Sequence, residues 1–160
     1  MSFNHFDSKG QAIMVDISAK QPTLRTAIAR STVRMQPATL QMVVDGQLAK
    51  GDVLGVARLA GIAAAKKTPD LIPLSHPLAL HAVGIEFSWD AVNGTISVEA
   101  TVRAFERTGV EMEAMVAASV AALTVYDMCK GQDKGIAITE TLLLFKEGGK
   151  SGTYQRAAAL

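Results

Sequence analysis

Two groups of titratable residues stand at the ends of one predicted helix and could carry out acid–base chemistry. The segment 109–130 has charged residues only near its two ends: Glu111 and Glu113 at the start, Asp127 and Lys130 at the finish. Carboxylates at a helix start also act as caps and favourable dipole partners, which is the ordinary explanation for Glu111 and Glu113. Asp127 is less easily explained, since a carboxylate in the last turn opposes the dipole, although pairing with Lys130 would compensate.

A histidine and two lysines could bind or protonate an anionic substrate. His76 precedes Pro77, which restricts its backbone, so a rigid loop would present the imidazole for proton transfer or phosphate contact. The alternative is a histidine that only hydrogen-bonds a neighbour. Lys50 lies just before a predicted helix and Lys146 just before the tail EGGKSG, and each could equally be a solvated lysine. The spacing of His76 and His81 matches no usual zinc pattern, so we predict no built-in metal.

Length and composition place these residues in one domain, 1–160. Of the 160 residues, 49% are hydrophobic and 19% are charged, which is enough apolar material to form a core. The formal net charge of +1 favours neither nucleic acid nor an anionic membrane. The longest stretch without Asp, Glu, Lys or Arg, 71–85, is too short to span a bilayer. The single cysteine and the absence of a recognisable signal peptide lead us to expect a cytoplasmic protein.

Hydrophobic periodicity and turn residues predict the element order β, α, α, β, β, α, β. The predicted elements are a strand over 25–35, a short helix from Pro37, a helix from Val53 capped by Asp52, two strands joined at Asn93–Gly94, the helix 109–130 opened by a Thr108–Glu111 capping box, and a strand over 135–146. We expect 1–22 to be a mobile arm docked at one point and 147–160 a flexible tail. The order predicts an α+β, ferredoxin-like split βαβ fold: an antiparallel sheet packed on helices, with one extra short helix.

Five stretches together carry a resemblance that covers nearly the whole chain. They are MVDIS (14–18), KGDV (50–53), AGIAAAKKTPDLIPLSHPL (60–78), TGVEMEAMVAASVAALTVYDMCK (108–130) and GGKSG (148–152). They resemble the MoaC family, the cyclic pyranopterin monophosphate synthases of molybdenum cofactor biosynthesis. The resemblance implies a lyase-type enzyme that rearranges 3′,8-cyclo-7,8-dihydro-GTP to cyclic pyranopterin monophosphate and releases diphosphate.

The resemblance also implies the residues of the site. The expected catalytic residues are Asp127, Lys130, Lys50, His76 and Lys146, and the expected substrate contacts are Leu74, Ser75, His76, Glu111, Met112 and Glu113. Many members have Cys where this chain has Ser75, so a hydrogen-bonding role is expected there and a thiol role is not. No cofactor is expected to be built in, and any Mg²⁺ would accompany the triphosphate of the substrate.

Helix geometry suggests that the active site is shared between subunits. Glu113 and Asp127 lie fourteen residues apart, which is about 21 Å along a helix axis, too far for both to reach one reacting centre. An isologous dimer would bring opposite helix ends together, and the resemblance implies a homohexamer built as a trimer of dimers. As a proton donor, Lys130 would need a lowered pKa. The alternative function is a non-catalytic ferredoxin-like module that binds a small anion.

Overall fold

One layer of the protein is a five-stranded antiparallel sheet. The computed structural model describes residues 6, 7 and 9–157. The strands are β1 (Thr23–Arg34), β2 (Leu80–Asp90), β3 (Thr95–Glu106), β4 (Ala137–Glu147) and β5 (Tyr154–Gln155). Their order across the sheet is β2-β3-β1-β4-β5, and every neighbouring pair is antiparallel. The first four strands therefore follow the split βαβ order, and the predicted ferredoxin-like α+β fold is confirmed.

Helices cover one face of this sheet and enclose the core. They are α1 (Pro37–Val44), α2 (Val53–Ala65), α3 (Thr68–Leu71) and α4 (Glu111–Cys129). Alternate residues of β1 and β3 point toward α4 and are fully buried, among them Ala27, Ala29, Val98 and Ala100. By length and composition alone α4 could cross a membrane, but half of its most apolar window is buried inside the protein, as in the core helix of a soluble protein.

Close packing of α2 on α4 depends on small residues. A Cβ atom added at Gly61 of α2 would lie 2.9 Å from the carbonyl oxygen of Ala117 and 3.2 Å from the Cβ of Ala121. The alanine-rich middle of α4 thus serves the core, where small side chains let the two helices approach closely. This contact fixes α4, and so the position of both of its charged ends.

Two local signals in the sequence produce the predicted structure. Asp52 caps α2, its side chain accepting a hydrogen bond of 2.8 Å from the backbone N–H of Gly55. The turn at Asn93–Gly94 joins β2 to β3, and Gly94 has a φ of +62°. A Cβ atom at Gly94 would also clash with the carbonyl oxygen of Met35, so this position requires glycine for two reasons.

Three features differ from the sequence-based predictions. The Thr108–Glu111 capping box is wrong, because α4 begins at Glu111 after Val110 and has no side-chain cap. The single turn α3 was not predicted, because Pro69 suggests a break although proline is well suited to a first helical turn. The tail contains β5, a strand too short to show any periodicity, which pairs with β4. Residues 1–5 and 8 of the predicted arm and 158–160 of the predicted tail lie outside the described residues.

Candidate active site

A cluster of three charged side chains lies at the C-terminal end of α4. Lys130 Nζ donates a hydrogen bond of 2.6 Å to Asp127 Oδ1. Lys50, from the loop before α2, reaches Asp127 from the other side: its Nζ lies 3.1 Å from Oδ2 and 2.8 Å from the backbone carbonyl oxygen of Asp127. All three side chains are about half exposed. The structure thus brings together three of the predicted catalytic residues around a carboxylate that remains open to a ligand.

Charge pairing shifts the pKa values in this cluster in opposite directions. Hydrogen bonds from Lys130 and from Lys50, with the positive charges of both lysines, lower the pKa of Asp127. The hydrogen bond to Asp127 and its negative charge raise the pKa of Lys130. The prediction of a lowered Lys130 pKa is therefore wrong in the isolated protomer, because an ion pair stabilises the charged ammonium. Lys130 is better suited to bind a negatively charged group than to give up a proton.

A second cluster lies at the N-terminal end of α4. Glu113 is buried, with 2% of its surface exposed. Burial raises its pKa to about 7, a hydrogen bond to its own backbone opposes the shift, and the nearby negative charge of Glu111 adds to it. Glu111 accepts a hydrogen bond of 2.7 Å from Lys146 Nζ of β4, and both of these side chains are largely shielded from solvent. A carboxyl group with a pKa near 7 can both donate and accept a proton at neutral pH.

A cavity of about 410 Å³ opens beside this second cluster. Its walls include all six predicted substrate contacts, namely Leu74, Ser75, His76, Glu111, Met112 and Glu113, together with Thr108 and Gly109. The rest of the wall contains Leu78 and three residues of the segment before β1, namely Val15, Ile17 and Lys20. The apolar island 14–18 is predicted to dock the N-terminal arm and is one of the stretches that carry the resemblance, but no substrate contact is predicted in it, and Lys20 belongs to no motif.

His76 connects the cavity loop to the N-terminal segment. Its Nε2 atom lies 2.7 Å from the carbonyl oxygen of Val15. Since a carbonyl only accepts, Nε2 carries the hydrogen in this contact, and Nδ1 is left to accept a hydrogen bond. His76 thus bonds a neighbour and also lines the cavity.

The two clusters are not brought together within one protomer. Asp127, Lys130 and Lys50 do not line the cavity, and the chain from Glu113 to Asp127 is continuous helix, a rise of about 21 Å over fourteen residue steps. Within the part of the chain that the structure describes, no three His, Cys, Asp or Glu side chains are grouped so that they could hold a metal ion.

The Glu113→Gln variant is expected to become more stable relative to wild type as the pH rises. The pKa of Glu113 is about 7 in the folded protein against an ordinary 4.5, so between these values the folded state holds a proton that the unfolded state has lost. The resulting stabilisation is complete below pH 4.5 and is lost as the pH rises through 7. At 1.36 kcal/mol per pKa unit this is about 3 kcal/mol. Gln keeps the shape of the side chain and does not ionise.

Urea unfolding of both proteins at pH 5 and at pH 8.5, at one protein concentration, measures this difference. The free energy of unfolding of Glu113→Gln relative to wild type should rise by about 2.5 kcal/mol between the two pH values, since part of the effect already lies below pH 5. Glu86, on the exposed side of β2, provides the control, and Glu86→Gln should leave the pH dependence of wild type unchanged. An equal difference at both pH values for Glu113→Gln would show that the buried carboxyl does not titrate in this range.

Strand order and covering helices define a ferredoxin-like α+β protein with charged clusters at both ends of its longest helix. Residues 14–149 match the MoaC family. Cyclic pyranopterin monophosphate synthases of Geotalea uraniireducens and Geobacter sulfurreducens are 73% and 72% identical to this chain, each over 98% of both proteins. The synthase of Heliobacterium modesticaldum is 56% identical over 95% of this chain and 96% of its own length. The chain belongs to the MoaC family.

Proposed function

We propose that this chain converts 3′,8-cyclo-7,8-dihydro-GTP to cyclic pyranopterin monophosphate and diphosphate, as a lyase-type enzyme of molybdenum cofactor biosynthesis in the cytoplasm. The observation that carries the proposal is the near full-length similarity to proteins named as this synthase, at up to 73% identity. The family resemblance of the segments around both clusters supports the same reaction. The identity of the substrate comes from this resemblance and not from the geometry of the site.

The acid–base groups of the two clusters suit this reaction. Opening a dihydropurine ring and forming a pyran ring require protons to be delivered to nitrogen and removed from hydroxyl groups. Glu113, with a pKa of about 7, can do both near neutral pH. Asp127 is ionised under the same conditions, since its ordinary pKa is 3.8 and Lys130 and Lys50 lower it further. We assign Asp127 as a base and Glu113 as a substrate contact able to exchange a proton.

Cations near both helix ends suit the departure of diphosphate. Closing the cyclic phosphate expels diphosphate, and its developing negative charge is stabilised by fixed positive groups. Lys50 and Lys130 offer two ammonium groups at one end of α4, while Lys146 and His76 lie at the other. Any Mg²⁺ would arrive with the triphosphate.

One substrate can use both clusters if two subunits contribute to each site. The separation of about 21 Å within α4 and the half-exposed charges of the Asp127 cluster support this arrangement. Large apolar side chains on the outer surface of the helices, such as Leu59 and Leu123 with 69% and 55% of their surfaces exposed, favour self-association. We propose a homohexamer, a trimer of dimers in which opposite ends of α4 meet.

A non-catalytic module that binds a small anion is not favoured. Such a module would need cations but would have no use for the ionised carboxylate of Asp127 within a lysine pair, since this charge repels phosphate. The similar proteins are moreover named as synthases.

Genetic complementation tests the proposed function in a cell. A bacterium whose own synthase gene is deleted should regain the activity of its molybdenum enzymes when this chain is expressed, and should not regain it with Asp127→Asn. Immunoblotting shows that both proteins are present at equal levels. Absence of rescue by soluble wild-type protein would count against the proposed function, and equal rescue by both proteins would remove Asp127 from the chemistry.

A further inference from the structure

A buried arginine contacts two segments that adjoin the second cluster in sequence, and it has no assigned role. Arg25 of β1 is only 8% exposed. Its Nε atom donates a hydrogen bond of 3.0 Å to the carbonyl oxygen of Glu106, and Nη2 donates one of 3.2 Å to that of Arg107. Among the residues the structure describes, none of the ion pairs involves Arg25. The guanidinium is therefore held by backbone carbonyls at the end of β3, just before the residues that line the cavity.

The glycine turn after β4 packs against the same guanidinium. Gly148 and Gly149 have φ angles of +102° and +72°. A Cβ atom at Gly149 would clash with Arg25 Nη1 and would lie 2.7 Å from Arg25 Cζ. An unrestrained arginine could move aside, but Arg25 is tethered by two hydrogen bonds and is nearly enclosed. The two glycines therefore provide the space that the guanidinium occupies.

The end of β3 and the Gly148–Gly149 turn, which both contact Arg25, adjoin the two partners of the Glu111–Lys146 ion pair in sequence. In the sheet, Lys146 is opposite Ala27, two residues along β1 from Arg25, so both cationic side chains emerge on the face covered by α4. Gly148 follows Lys146 by two residues. On the other side, Arg107 leads through Gly109 to Glu111, and a Cβ atom at Gly109 would meet the Glu111 carboxylate. Arg25 thus contacts both the segment that leads to Glu111 and the turn that follows Lys146.

We propose that Arg25 is a positioning residue: by binding the end of β3 and supporting the Gly148–Gly149 turn, it holds Glu111 and Lys146 in contact at the wall of the cavity. It acts through Lys146 and does not itself need to touch the substrate. Lysine at position 25 keeps the charge but lacks the planar guanidinium that reaches two carbonyls and the turn together. The activity test of this role rests on the proposed function, whereas the structural test does not.

A double-mutant cycle separates positioning from general destabilisation. Displacing a catalytic group by about 1 Å can cost about 100-fold in rate, so Arg25→Lys is expected to lower kcat about 10- to 100-fold. In a Lys146→Ala background the same change should lower kcat less than about threefold, because the group it positions is already absent. Equal losses in both backgrounds would overturn the proposal. Inactive wild-type protein would instead refute the proposed function.

Crystal structures test the same inference without activity. In Arg25→Lys, Lys146 Nζ and Glu111 Oε1 should separate beyond the 4 Å limit of an ion pair. Gly149→Ala, which drives a methyl group against the guanidinium, should separate them as well. Gly152→Ala is the matched control, since Gly152 has a similar φ of +69° but nothing within 4 Å of the added atom. A pair that stays at 2.7 Å in both Arg25→Lys and Gly149→Ala would overturn the proposal.

Discussion

Asp127→Asn is expected to lower kcat by about 10²- to 10⁴-fold, the range for loss of a general acid or base, while substrate binding persists. In the free protein two lysines keep this carboxylate ionised. If the phosphates of the substrate drew Lys50 and Lys130 away, the pKa of Asp127 would rise and the carboxylate would become a better base. Asparagine has nearly the same shape but cannot accept the proton. Steady-state kinetics and calorimetric titration with the substrate measure the two quantities separately.

A matched control for this variant is available on the surface. Asp70 forms an ion pair with Lys67 three residues away at 3.4 Å and is exposed, just as Asp127 pairs with Lys130. Asp70→Asn should leave kcat within about twofold of wild type, since exposed pairs contribute little. Near-normal turnover by Asp127→Asn would remove Asp127 from the chemistry. A loss of binding equal to the loss of kcat/KM would limit its role to holding the substrate.

The parts of the fold that follow from the sequence depend on local signals. Asp52 begins α2 and Asn93–Gly94 closes the β2–β3 turn, because each feature is determined by neighbouring residues. The alternation along β2 and β3 and the long apolar run of α4 predicted the remaining order. Strand pairing then follows from the few topologies that such an order allows.

The features that could not be predicted depend on residues distant in sequence. Glu111 was assigned to a local capping box, but in the fold it meets Lys146, 35 residues away, and this contact was visible only once β4 lay beside β1. Lys20 lines the cavity because the segment before β1, which contains it, contacts the loop that carries His76. No local pattern encodes such contacts.

Mixed oligomers of Glu113→Ala and Asp127→Ala are expected to recover activity that neither variant has alone. If each site combines the Glu113 end of one α4 with the Asp127 end of the partner's α4, a mixed dimer contains one intact site and one doubly damaged site. With random pairing half of the dimers are mixed, so about a quarter of wild-type activity should return in the coexpressed mixture and about half in purified mixed dimers. Coexpression with two different affinity tags and tandem purification provides the mixed species for assay.

The control for this experiment places both changes at one helix end. Mixed dimers of Asp127→Ala and Lys130→Ala carry a damaged cluster in every site and should stay inactive, since both residues belong to the same cluster. Tandem-purified Glu113→Ala/Asp127→Ala dimers that are no more active than their parents would show that each protomer uses its own two clusters. Recovery in the control pair would show that Asp127 and Lys130 do not act in the same site.

The reaction of the purified chain with 3′,8-cyclo-7,8-dihydro-GTP tests the central claim most directly. Product analysis by mass spectrometry, with a separate assay for diphosphate, should show one cyclic pyranopterin monophosphate and one diphosphate for each substrate consumed, over many turnovers. Asp127→Asn provides the baseline. Substrate that is bound but recovered unchanged, or triphosphate hydrolysed without formation of the pterin, would contradict the assignment of this protein as a cyclic pyranopterin monophosphate synthase.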